Sequence, residues 1–277
     1  MTMAGPRYRG LGLFGLVLFL IGCGTEPVWT DQGHDMEVRP SRNGEPVASL
    51  LGPEVSLHYL GHSAFVLRFD NGVTILTDDG ESRQYGVGGV HAIGNLEPEI
   101  VIYAHHYARQ TRSPAFPNAR IVSGGNLKQG DIDIRAIPVT EERPGDNYGY
   151  LITYKGFRIF YAGDAQGDMM TIDQPEVRTR LKRQLPRELD LLMVPIDWRH
   201  EITPQAVSYV EFLRPKRVIP MHYWTVAAKE RFFASLEAAD SGYYVIEADA
   251  PDCRIFVTEP ARPVQVISLD AGPVIGI

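Results

Sequence analysis

Five apolar runs in this chain end in side chains that can bind a metal or move a proton. YLGHSAF carries His62, TILTDDG carries Asp78 and Asp79, and IVIYAHH ends in His105 and His106. FYAGDA carries Asp164, and VIPMHYWT carries His222. A lone histidine on a strand is commonly a hydrogen-bonded structural residue, and an aspartate after a strand is commonly a turn former. Five such endings in one chain point instead to a shared cleft. Imidazole and carboxylate groups converging there suit Zn²⁺ or Mn²⁺. The third run raises a difficulty, because the residues after it include Ala108, Arg109 and Gln110, none of them a good ligand. Tyr103, Tyr107, Tyr223 and Trp224 flank the same segments and are candidates to line a ligand pocket, with aromatic core packing as the ordinary alternative.

The elements that would position these residues are legible from periodicity. VSLHYLGHSAFVLRFDNGVTILTDDG reads as strand, turn and strand, then a hairpin at Asp70-Asn71-Gly72 and a third strand. EIVIYAHH is a continuous apolar strand of the kind buried on both faces. IDIRAIPV, YGYLITYKGFRIFYAGD, DLLMVPID and RVIPMHY are further strands, the second of these turning at Lys155-Gly156. Helices are expected over PEVRTRLKRQL, TPQAVSYVEFLRP and AAKERFFASLEAA. In the second, Thr203 is the expected N-cap, Pro204 the first helical residue and Pro215 the stop. Strands in meander followed by strands alternating with helices imply an α/β sandwich, with a site at the strand ends.

GHSAF, TILTDDG, GYLITYKGFRIFYAGDA and PKRVIPMHYWT resemble, in order and spacing, segments of the metallo-β-lactamase-fold hydrolases. The branch they resemble most contains the L-ascorbate-6-phosphate lactonases and N-acylphosphatidylethanolamine phospholipase D. The likeness spans about residues 54–258 and implies an αβ/βα sandwich with a metal cleft at the sheet ends. It also implies seven ligands, namely an H-x-H-x-D-H run, a later histidine, an aspartate in Gly-Asp and a final histidine.

Asp164 matches the Gly-Asp and His222 the final histidine. The H-x-H-x-D-H run fits in two registers, either His105, Tyr107, Arg109, Gln110 or Ala104, His106, Ala108, Arg109, so each retains one histidine. No histidine lies between His106 and His200 to serve as the later one; Glu141 and Glu142 stand where it belongs. Three of the seven ligands therefore remain, and the aspartate that would orient a nucleophilic water is missing in both registers. The expectation is an eroded metal site with no cofactor, the alternative being one Zn or Mn ion on His105 or His106, Asp164 and His222. His62 and Asp164 are the candidate catalytic residues, and Asp78 is expected to support the site from behind. Arg109 is expected to pair with Asp164 in the volume of the lost metal. The predicted function is a non-catalytic ligand-binding or scaffold derivative, against a single-metal hydrolase of a lactone, ester or phosphodiester.

The chain has 277 residues with 44% hydrophobic and 22% charged side chains, enough to bury a full α/β core. Its net charge of −7 argues against general nucleic-acid binding, which uses a basic face. At the N-terminus, Arg7 and Arg9 precede an apolar run from Leu11 to Ile21 and then Gly22-Cys23, the pattern of a secretory leader. LIGC is similar to the bacterial lipobox, which implies acylation of Cys23. Gly24 after it implies an outer-membrane lipoprotein facing the periplasm of a two-membrane bacterium. Residues 1–22 are then a signal peptide, 23–53 a tether rich in Pro, Gly and charge, and 54–277 the domain. With Cys23 acylated, Cys253 has no partner for an intramolecular disulfide. The expected partners are the membrane, through Cys23, and a small-molecule ligand or a periplasmic protein. A bacterium expressing the full chain should carry it in the membrane fraction, and mass spectrometry of Cys23→Ala should show no acyl group.

Overall fold

In the computed structural model, the described residues are 54–78, 97–104, 116–140, 147–197, 202–239, 243–247, 252–256 and 264–268. They form two stacked mixed sheets. The first is ordered β13-β1-β2-β3-β4-β5, from β1 (Glu54–Gly61), β2 (Ala64–Phe69), β3 (Thr74–Thr77), β4 (Ile100–Ile102), β5 (Arg120–Val122) and β13 (Asp252–Phe256). The second is ordered β12-β14-β11-β10-β9-β8-β7-β6. It is built from β6 (Leu127–Gln129), β7 (Ile132–Val139), β8 (Asn147–Tyr154), β9 (Phe157–Tyr161), β10 (Leu191–Pro195), β11 (Arg217–Met221), β12 (Tyr243–Glu247) and β14 (Val264–Ser268). Helices α1 (Gln166–Met170), α2 (Pro175–Gln184), α3 (Thr203–Leu213) and α4 (Val226–Ala238) complete the described elements. This is the α/β sandwich that the strand and helix pattern implies.

Alternation along each strand divides the apolar side chains between layers. Leu57, Phe65, Leu67 and Ile75 from the first sheet meet Ile152, Ile159, Met193 and Ile219 from the second in the central layer. Phe160, Leu192, Val194 and Val218 point the other way and bury Leu181 of α2, Tyr209 and Val210 of α3, and Phe232 and Leu236 of α4. Because β10 is covered on both faces, all five of its residues are buried, which is why LLMVP reads as an unbroken apolar run.

Direction decides where the site forms. β9, β10 and β11 run parallel, as do β3 and β4. β1 is antiparallel to β2 and β2 to β3, so β1 ends on the same side as β3. The segments following β1, β3 and β4 thus lie along the same margin as one another, as do those following β9, β10 and β11. Cross-sheet bonds bring these two margins together: His222 N donates to His62 O at 2.8 Å and Tyr148 N to Ala104 O at 3.1 Å.

Two local expectations need correction. Ile202, not Thr203, is the N-cap of α3, and Thr203 is its first helical residue with a buried side chain. Burial of Thr203 takes its hydroxyl away from the capping position, leaving Pro204 in the first turn. The helix ends before Pro215, with Arg214 in the left-handed conformation. Strands β5, β6, β12 and β14 and the five-residue α1 carry too little periodic signal to be read from sequence.

The turn from β9 into α1 requires Gly163. Its φ is +55°, and a Cβ there would lie 2.5 Å from Ala104 Cβ and 2.8 Å from the Tyr148 carbonyl oxygen. Gly163→Ala should therefore cost about 3 kcal/mol, from left-handed strain plus overpacking. A urea titration should show it as a lower midpoint at unchanged slope.

A candidate cation-binding cleft at the strand ends

Asp164 follows β9 and His222 follows β11, and both are almost fully buried. His222 Nε2 lies 3.4 Å from Asp164 Oδ1. The other ring nitrogen, Nδ1, is 3.1 Å from the Asp197 carbonyl oxygen beyond β10. A carbonyl only accepts, so Nδ1 carries a proton, and Nε2 is the ring atom turned toward the carboxylate. Metal-binding histidines are commonly held this way, with one nitrogen donating to a fixed acceptor and the other facing the ion. The separation also fits: two donors about 2.0–2.2 Å from a tetrahedral ion stand about 3.4 Å apart.

His62 sits against this pair. Its ring centroid is 4.0 Å from that of His222 and 4.6 Å from that of Trp224, whose indole is 41% exposed. Burial, reinforced by His222 alongside, holds the His62 pKa well below the usual histidine value. His62 is therefore neutral near pH 7 and supplies no positive charge to Asp164. Its carbonyl accepts from both His222 N and the Tyr59 hydroxyl, the latter at 3.2 Å, which fixes the β1–β2 turn.

Asp78 has a different task. Its Oδ1 accepts from Ala104 N at 2.9 Å, and its Oδ2 receives the Tyr161 hydroxyl. The same hydroxyl lies 3.0 Å from the Ser63 carbonyl, which also accepts from Thr77 Oγ1 at 2.8 Å. Both carboxylate oxygens of Asp78 thus tie β4 and β9 together beneath the cleft. Tyr161 and Asp197 share in the site without having been singled out in the sequence. Tyr161 reads there as one more apolar strand residue, and Asp197 works through its backbone oxygen, which no residue-type pattern reveals. Of the flanking aromatics, Trp224 reaches the cleft, whereas Tyr103 buries its ring in the outer layer with Val66 and Phe116.

His62, Asp78 and His222 all have positive φ, at 53°, 42° and 53°. Non-glycine residues pay strain there, and such strain tends to collect at functional sites.

Cys23, Asp79, His105, His106, Tyr107, Arg109, Glu141, Glu142 and His200 lie outside the described residues. Among the described residues, no three His, Cys, Asp or Glu side chains form a metal-binding group. Asp164 and His222 supply two donors of the three or four that a zinc site needs.

The family model for the beta-lactamase superfamily domain matches residues 56–222. The chain belongs to that superfamily. It is similar to the UPF0173 metal-dependent hydrolase of Pyrobaculum neutrophilum, 24% identical over 204 residues that cover 62% of this chain and 85% of the relative. It is also similar to a protein of that description from Cupriavidus necator, at 22% identity over 84% of this chain and 94% of the relative. Among solved structures, a putative Zn-dependent hydrolase of the metallo-β-lactamase superfamily from Thermotoga maritima superposes with a TM-score of 0.53 at 21% identity. It covers 78% of this chain and 100% of that one. A putative metal-dependent hydrolase from Parabacteroides distasonis gives 0.51 at 19% identity, covering 68% and 90%. These likenesses establish the metallo-β-lactamase fold for the superfamily domain here.

The state of His62 gives a measurable pH dependence. Its pKa is lowered on folding, so the unfolded chain binds this proton more readily. The domain should lose stability as pH falls below about 6.5, with a slope approaching 1.4 kcal/mol per pH unit from this one group. His62→Asn, which tolerates the left-handed backbone and does not titrate, should flatten that limb in denaturant titrations between pH 7 and 5.

Proposed function

We propose that this protein is a lipid-anchored, extracytoplasmic derivative of the metal-dependent hydrolases that binds a small ligand in the cleft at Asp164 and His222. In this reading the Arg109 guanidinium stands in place of the second metal. The observation that carries it is the buried Asp164–His222 contact, in which His222 Nε2 stands 3.4 Å from Asp164 Oδ1. A carboxylate taken out of water favours a positive group beside it. His62, held neutral, does not provide it.

The sequence favours a guanidinium. Arg109 falls on a second-metal ligand position in both registers, while the neighbouring ligands are lost. Arginine keeps its charge when buried and pairs a carboxylate through two parallel bonds. Without the aspartate that orients an attacking water, such a cleft retains a ligand but lacks the means to hydrolyse it. The exposed edge of Trp224 next to His62 offers it an apolar wall.

A second reading is a hydrolase with one metal. The tetrahedral-edge spacing of Asp164 and His222 favours it, as do the relatives described as metal-dependent hydrolases. Asp164 and His222 would hold the ion with His105 or His106. A zinc or manganese ion there would serve as a Lewis acid on a carbonyl or phosphoryl oxygen.

Anchoring through Cys23 would place the domain in the periplasm on the outer membrane, and cell fractionation tests this directly. For the cleft, Asp164→Ala should destabilise the domain by at least about 1 kcal/mol less in an Arg109→Ala background than in the parent chain. Additive effects would refute the pairing. Metal analysis of the purified protein should find well under one zinc or manganese per chain. One ion per chain, lost on His222→Ala, would establish the single-metal hydrolase instead.

A further inference from the structure

Helix α2 stands out in a chain with 34 acidic and 27 basic residues. Between residues 174 and 187 lie Arg178, Arg180, Lys182, Arg183 and Arg187 against a single Glu176, with Asp173 and Glu188 just outside. Two of these cations are in ion pairs, and a third, Lys182, holds its ammonium 5.5 Å from the centre of the Phe212 ring on α3. Arg178 pairs with Asp173 at 2.7 Å, and Arg180 pairs with the buried Asp168 at 2.5 Å while donating to the Pro138 carbonyl. Lys182, Arg183 and Arg187 are exposed and have no ion pair among the described residues.

Arg135 of β7 joins them, since its guanidinium donates to the Gln184 carbonyl at the helix C-terminus. Leu181 is the buried residue of the helix, and Arg183, about 200° further round, points directly away from it. One cation in the last turn is accounted for by the helix dipole. Lys182, Arg183, Arg187 and Arg135 together exceed that need and gather, all exposed, around the C-terminal end of the helix.

We infer that the C-terminal half of α2, together with Arg135, is a docking face for an anionic lipid surface. The inference rests on the lipid-anchored reading above. Cys23 to Pro53 is a segment of 31 residues and spans at most about 100 Å, so the anchored domain stays within reach of its own membrane. Near an anionic leaflet each lysine or arginine strengthens association about fivefold, within a screening distance of about 10 Å at 0.1 M salt. A patch of four such groups is sufficient to orient a domain whose overall charge would otherwise keep it away from the bilayer. Charge complementarity identifies the partner as phosphate-rich lipid headgroups.

The test uses the full acylated chain in phosphatidylcholine vesicles with and without phosphatidylglycerol. Lys182 is acetylated with a membrane-impermeant ester, and its rate is read by mass spectrometry relative to Lys229 on α4. With phosphatidylglycerol at low salt, Lys182 should react at least about fivefold more slowly. High salt should restore the rate, and Arg183→Gln with Arg187→Gln should abolish the slowing. Equal Lys182 rates on both vesicle types, in a chain that floats with them, would overturn the docking face alone. Slowing on phosphatidylcholine without phosphatidylglycerol would assign the face to a different contact and overturn it too. A chain that floats with neither vesicle would sink the anchored reading along with this inference.

Discussion

A phenolic hydroxyl held between two sheets needs a partner, and Tyr161 finds one in the Asp78 carboxylate. That contact crosses the sandwich at the margin where both sheets end, and Asp78 extends it to β4 through Ala104 N. His222 N to His62 O adds a second crossing a few residues away. Together they set the spacing of the β1, β3, β9 and β11 ends, so the cleft is a product of inter-sheet geometry more than of any single loop. Tyr161 also packs in the central layer, so the same side chain contributes to the apolar core and to the site's footing.

Burial changes what the cleft residues can do. Water would screen the Asp164 carboxylate, whereas a low-dielectric interior strengthens its demand for positive charge. The Asp197 carbonyl oxygen orients the His222 ring by holding its Nδ1 proton, which turns Nε2 toward Asp164. A buried carboxylate of this kind favours a cation beside it, and an arginine and a metal ion would answer that in different ways. The gap between those two answers is the gap between a binding protein and an enzyme on one scaffold.

Much of the architecture was legible because the main strands are unusually clear in their patterning. IDIRAIPV matches β7 residue for residue, and the Lys155-Gly156 turn between β8 and β9 falls as expected. Three-residue strands such as β5 and β6 are too short to show a period and gain their identity from pairing with β4 and β7. Asp164 and His222 were readable as strand-end side chains, and the structure sets them side by side. The orientation of His222 was not readable, because it depends on a backbone oxygen supplied by Asp197. Asp78 illustrates the limit of residue type: an aspartate at a strand end looks like a ligand or a turn former, yet here it is a tie between strands.

The left-handed backbone at His62, Asp78 and His222 bears on which substitutions these turns would accept. Glycine adopts that conformation without a Cβ penalty, so relief of local strain alone would favour glycine at each of the three. The side chains oppose that bias: glycine at 78 would release the tie between β4 and β9, and glycine at 222 would take the imidazole away from Asp164. Strain relief and the contacts of the site thus pull in opposite directions at the same three turns.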